Sequence, residues 1–228
     1  MSSSFSLREA LGPPTPLPFE VRAIMITSLF GAFSRDGTSS ALGNDNDSQL
    51  LGTLRDWSDV VLVTAGTVRM EHYGKTNSQL AIVSHSLELD LTSAVFFGTA
   101  PIIFTDRTAH ISSLRQNRIT NLRKAGAHVI EVPDTKPHTL ISALKDLGFT
   151  RVSCEGGPSL YASLLSEDLI DVIHLTITPT VSSCDATFGL KLESDTPWTK
   201  RFKLESALAD SDGTLFCRYR KKATDVGA

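Results

Sequence analysis

The stretch Arg151-Val152-Ser153-Cys154-Glu155-Gly156-Gly157-Pro158-Ser159-Leu160 decides how the rest of the chain is read. Arg151–Cys154 has the make-up of a short strand, and Pro158–Ser166 that of a helix. Proline suits the first helical turn, where its missing N–H is not needed. Between them the glycine pair permits tight backbone geometry and close approach of a ligand. The free amides and positive end of such a helix attract phosphate. The carboxyl end of a sheet strand is also where α/β proteins take nucleotides. A plain strand–helix turn would show the same local pattern, and these ten residues alone leave both readings open.

Outward from this point the alternation repeats. Val21–Leu29 reads as a buried strand, and Phe30–Asp45 as a loop carrying Gly31, Gly37 and Gly43. Asp47 is a candidate N-cap for a helix with Leu50, Leu51, Leu54 and Trp57 on one face. Val60–Val63 is a continuous apolar run, as expected of a strand covered on both faces of a parallel sheet. Leu80–Val83, Ile102–Phe104, His128–Val132 and Val172–Ile177 read as further strands. Helices are expected over Ile111–Ala125, ended by Gly126, and over His138–Leu147, ended by Gly148. Phe202–Ser206 and Thr214–Tyr219 flank Asp210-Ser211-Asp212-Gly213 and read as an antiparallel hairpin. The expectation is an α/β fold: a mostly parallel sheet, helices on both faces and an antiparallel C-terminal hairpin.

A second segment repeats the first in miniature. After Val60–Val63 comes Thr64-Ala65-Gly66-Thr67-Val68-Arg69-Met70-Glu71. Thr67 fits either a helix cap or a partner for a phosphate or ribose, and Glu71 follows one helical turn later on the same face.

The composition bounds the function. Across 228 residues, 22 Lys+Arg against 25 Asp+Glu leave a formal charge of −3, and no long basic block exists to hold nucleic acid. Aromatic content is 7%, little material for stacking bases. The three cysteines, Cys154, Cys184 and Cys217, lie far apart, which excludes zinc spacing and fits a reducing, cytoplasmic setting. No apolar run is long enough to span a bilayer, and no metal site is expected. GxGxxG and Walker patterns are absent. Cys154 reads as a small core residue and the six histidines as surface or packing residues. Residues 1–18, rich in Ser and Pro, read as a flexible arm poorly suited to a packed element, 19–222 as one domain and 223–228 as a tail.

Taken together, Ser28-Leu29-x-Gly31, Leu54-Arg55, Ala65-Gly66-Thr67-Val68-Arg69, Glu155-Gly156-Gly157-Pro158-x-Leu160 and Leu169-Ile170-Asp171 with Pro179 resemble the riboflavin-biosynthesis reductase family, from about Val21 to Tyr219. The resemblance implies a dihydrofolate-reductase-like fold and a homodimer. It implies NADPH at Thr67, Glu71, Gly156, Gly157, Pro158, Ser159 and Leu160. It also implies a phosphorylated pyrimidine at Arg55, Ser39 and Glu155, with Glu155 catalytic, and hydride transfer to ribose C1. The zinc pattern of the family's deaminase half, HxE then PCxxC, does not occur, so the resemblance is to a stand-alone reductase. Phe30 stands where the family has an acidic residue and Ile24 where many members carry lysine. His72-Tyr73-Gly74-Lys75 replaces the usual Asp-Pro segment. Reduction of another heterocycle, dihydrofolate among them, and an NADP-binding protein without catalysis are the alternatives.

Overall fold

The computed structural model describes residues 5–107, 112–181, 190 and 198–222. Nine strands form one sheet in the order β5-β4-β3-β2-β6-β1-β7-β9-β8. They are β1 (Glu20–Thr27), β2 (Val60–Thr64), β3 (Leu80–Val83), β4 (Ile102–Asp106), β5 (His128–Val132), β6 (Arg151–Gly156), β7 (Val172–Ile177), β8 (Phe202–Ala209) and β9 (Leu215–Lys221). β1 to β7 run parallel; β9 pairs antiparallel with β7, and β8 with β9.

The apolar runs explain this order. Every residue of Val60–Val63 is fully buried, because alternate side chains enter different layers. Val60 and Leu62 join Leu140, Leu144, Leu160 and Leu164 of helices α5 (Pro137–Asp146) and α6 (Pro158–Ser166). Val61 and Val63 join Val68 of α3 (Ala65–Met70) and Ile119 and Leu122 of α4 (Ser113–Lys124). A third cluster sets Leu50 and Leu54 of α2 (Asp45–Trp57) against Ile24 and Phe216. Each such leucine contributes about 1.5–3 kcal/mol by leaving water.

Several boundaries differ from the expectation. Asn44, not Asp47, caps α2: its Oδ1 accepts the Asp47 N–H at 3.0 Å. Both residues are good caps, and the chain takes the one a turn earlier. β1 ends at Thr27 because the Ser28 N–H turns to the Ala32 carbonyl. The hairpin strands run longer, to Ala209 and Lys221. Ile111, Cys184 and residues 223–228 lie outside the described residues.

The arm needs the largest correction. Leu7–Leu11 is a helix, α1, capped by Ser6, with Ala10 buried against α2 and β8. The Phe5 ring packs against Phe216, centroids 4.3 Å apart and planes tilted by 43°. What holds α1 lies outside the helix, partly near in sequence and partly remote. Arg22 donates to the Leu11 and Pro13 carbonyls at 2.7 and 3.2 Å, and Arg218 to that of Ala10 at 2.9 Å. These carbonyls lie in or just past the last turn, where helix acceptors lack intrahelical partners.

Candidate active site

Glu155 owes its position to an irregularity in the sheet. Across the β2–β6 ladder Leu62 pairs with Cys154 and Val63 with Gly156, so the register shifts by one residue at Glu155. A bulge of this kind re-aims a side chain at a strand end. Glu155 turns to the face opposite Cys154 and meets Arg55 from the last turn of α2. Arg55 Nε donates to Oε1 at 2.7 Å and Nη2 to Oε2 at 2.6 Å. The planar fork matches the carboxylate, giving a bidentate, charge-assisted pair. The Tyr73 hydroxyl also donates to Oε2, and its ring lies 5.0 Å from the guanidinium carbon of Arg55.

The electrostatics follow burial. Glu155's side chain is 4% exposed and Arg55's 25%. Burial disfavours the guanidinium charge, but the Glu155 carboxylate outweighs it and holds Arg55 above its ordinary range. Burial first, then the negative charge of Glu155, push the Tyr73 hydroxyl well above the usual tyrosine value. At neutral pH Tyr73 is therefore a hydrogen-bond donor. Burial pushes the Cys154 thiol up to about 12, which leaves it a core residue without nucleophilic character.

Beside this pair the glycine loop turns. Gly156 has φ +81°, a region that side chains rarely adopt, and a Cβ there would run into the Tyr161 ring. The Gly156–Gly157 peptide is cis. Gly157 is the N-cap of α6 and has no side chain to cap the first-turn amides. Pro158 is half-buried and Ser159 exposed, whereas the Leu160 side chain is 6% exposed and packs in the core. From the first turn of α3, just past the end of the neighbouring strand β2, comes Thr67. It does not cap α3, since Thr64 does: Thr64 Oγ1 accepts the Thr67 N–H at 3.2 Å and lies 3.0 Å from its hydroxyl. Thr67 instead faces the glycines.

Glu71 and Ser39, expected with cofactor and substrate respectively, meet each other. Ser39 N–H donates to Glu71 Oε1 at 2.8 Å, tying the loop after β1 to the end of α3. Ile24 lies beneath α2 in the apolar cluster, and Phe30 is 74% exposed. Tyr73 was not singled out in the sequence, which carries no local signal for a tyrosine 82 residues from its partner. Among the described residues no group of three or more His, Cys, Asp or Glu could hold a metal ion, and no helix is long and apolar enough to cross a membrane.

A mostly parallel sheet closed by an antiparallel hairpin, with its glycine loop beside a threonine-bearing strand end, defines an α/β fold of the dihydrofolate-reductase-like class. The fold of dihydrofolate reductase from Enterococcus faecalis, solved with NADP(H), matches at TM-score 0.53 and 12% identity over 91% of this chain and 100% of that one. Within that class the chain belongs to the RibD C-terminal domain family, whose model matches residues 20–215. It is similar to a pyrimidine reductase-like protein from Corynebacterium diphtheriae, at 30% identity and TM-score 0.82, covering 90% of this chain and 92% of that one. It also shares its fold with the riboflavin biosynthesis reductase Rib7 of Saccharomyces cerevisiae, at 18% identity and TM-score 0.65 over 94% of each chain. No curated protein matches the chain.

Proposed function

We propose that the protein is an NADPH-dependent pyrimidine reductase of riboflavin biosynthesis. It would reduce a phosphoribosylamino-pyrimidine at ribose C1, opening the sugar to its ribityl form. One observation above all supports the reading: a side-chain-free, uncapped helix start at Gly157 faces Thr67, beside a buried Arg55–Glu155 pair. A dinucleotide phosphate fits that start, because first-turn amides are unsatisfied donors at the positive end of the helix. Gly157, Pro158 and Ser159, the backbone of Leu160, and the Thr67 hydroxyl would hold the cofactor, with Gly156 shaping the turn. When bound, NADPH supplies the hydride.

The chain's own residues do the rest. Arg55, the more exposed member of the pair, meets the pyrimidine side, and its Nη1 is the nitrogen not engaged with Glu155. Glu155 orients Arg55 and remains the proposed catalytic carboxylate, with acceptor capacity left on Oε1. The Ser39–Glu71 bond holds the loop after β1 over the same strand ends, so Ser39 approaches substrate and Glu71 cofactor from a fixed position. Together these groups orient the reactants, which accounts for a large share of any barrier reduction.

A homodimer is part of the proposal. Alternate residues of the outer strands, Leu175 and Ile177 of β7, Leu215 of β9 and Leu204 of β8, put apolar side chains on one face; Leu204 is 49% and Leu215 40% exposed. Cytoplasmic location accompanies the reading, from the sparse cysteines. The test is loss of NADPH absorbance with the phosphoribosylamino-pyrimidine, run beside dihydrofolate. Oxidation with neither would overturn the reading, and oxidation with dihydrofolate alone would replace it.

A further inference from the structure

We propose that Tyr73 is a positioning residue of this site: its hydroxyl fixes the Glu155 carboxylate and, through it, the Arg55 guanidinium. The inference rests on the reading of Arg55 as the group that meets substrate.

The backbone delivers Tyr73 by a specific device. α3 ends with His72 in the left-handed region at φ +48°. The His72 N–H donates to Arg69 O at 3.4 Å and the Tyr73 N–H to Val68 O at 3.2 Å. Those are the two bonds of a Schellman ending, which reverses the chain over the helix end. Tyr73 is thereby returned against the core cluster that contains Val68 and Leu80, with its hydroxyl at the carboxyl end of β6.

The hydrogen-bond count shows what the hydroxyl does. An ionised carboxylate offers about four acceptor sites. Arg55 fills one on each oxygen, and Tyr73 fills the second on Oε2. With three donors from two elements, Glu155 cannot rotate without leaving a donor unmet, and at 4% exposure water is a poor substitute. Arg55 alone could follow a swinging carboxylate, since both side chains are long. Tyr73 has only two side-chain rotations, packs its ring against the core and is anchored on a third element, so it removes that shared motion. Its ring beneath the guanidinium adds a second, weaker restraint.

Tyr73→Phe isolates the claim, because it keeps the ring and its packing and deletes only the hydroxyl. The expected result is a rise of about tenfold in KM for the pyrimidine. NADPH affinity should stay within about twofold, because the hydroxyl bonds Glu155 and not Thr67 or the glycine loop. In an Arg55→Lys background the same change should cost less than about threefold, because both substitutions act through one carboxylate. A readout free of turnover is the carbon-13 carboxyl resonance of Glu155, assigned by its loss in Glu155→Gln; Tyr73→Phe should move it. An unmoved resonance overturns the proposal, whatever the kinetics. So do an unchanged KM and equal penalties in the two backgrounds. If the wild-type protein fails to oxidise NADPH with the pyrimidine, the functional reading falls, and the resonance still decides whether Tyr73 positions Glu155.

Discussion

Gly157 and Thr67 stand face to face from the starts of two helices, α6 and α3: a Cβ on the glycine would lie 3.0 Å from the threonine Oγ1. Thr67 cannot easily yield, because its backbone and hydroxyl are both held near Thr64. Gly157→Asp would set a carboxylate in this gap, against any phosphate at the helix start. Like charges so placed cost several kcal/mol. The NADPH dissociation constant should rise at least about tenfold in a fluorescence titration. Wild-type affinity in the variant would remove the cofactor from this loop.

Gly156 is under a different constraint, one of folding. Its positive φ and the Tyr161 ring both oppose a side chain. Gly156→Ala should lose about 3 kcal/mol, combining backbone strain with overpacking. The midpoint of urea unfolding reports it directly, and a loss below about 1 kcal/mol would mean that the loop relaxes freely.

Arg55→Ala leaves Glu155 buried with Tyr73 as its one side-chain donor among the described residues. Breaking a fully buried pair costs about 3–5 kcal/mol, and the quarter exposure of Arg55 brings this to about 2. Pyrimidine KM should rise by about tenfold or more while NADPH binding is spared. Equal weakening of both ligands would show that the arginine shapes the site as a whole.

His174 makes stability depend on pH. Burial, then the charges of Arg22, Arg218 and Arg220, push it down to about 3. In the unfolded chain it titrates near 6.5. Its contribution is therefore complete above about pH 6.5 and lost as pH falls, because the unfolded chain then binds a proton the folded one refuses. The slope is about 1.4 kcal/mol per pH unit down to about pH 3. Relative to wild type, His174→Leu should gain about 2 kcal/mol between pH 7 and pH 5 in urea unfolding. Parallel stability profiles would show that His174 is already charged in the fold.

The strands were legible because their signal is local. Val60–Val63 and Leu80–Val83 are apolar without interruption, and only a two-sided burial accommodates that. The glycine loop was legible because proline and paired glycines restrict the backbone by themselves. The choice between Thr64 and Thr67, or Asn44 and Asp47, was not. Both members of each pair are good caps, and tertiary packing selects one. The carboxylate's partners were split: Arg55 came from family resemblance, while Tyr73 is placed by a helix ending that no residue type announces. α1 was illegible for the strongest reason, since its partners lie on other elements: β1, α2, β8 and β9.

That last feature bears on the order in which the protein can be assembled. α1 leaves a ribosome well before Arg218 does. The Ala10 carbonyl and the Arg218 guanidinium are separated by 208 residues of sequence, yet they meet at 2.9 Å. Phe216, against which Phe5 packs, comes as late as Arg218. A five-residue helix is too short to persist in water on its own. The seat of α1 on β1 and α2 is therefore incomplete until β9 has paired with β7, and full docking marks the completed sheet. An amide in α1 that resists hydrogen exchange would report, from one end of the chain, that the other end has folded.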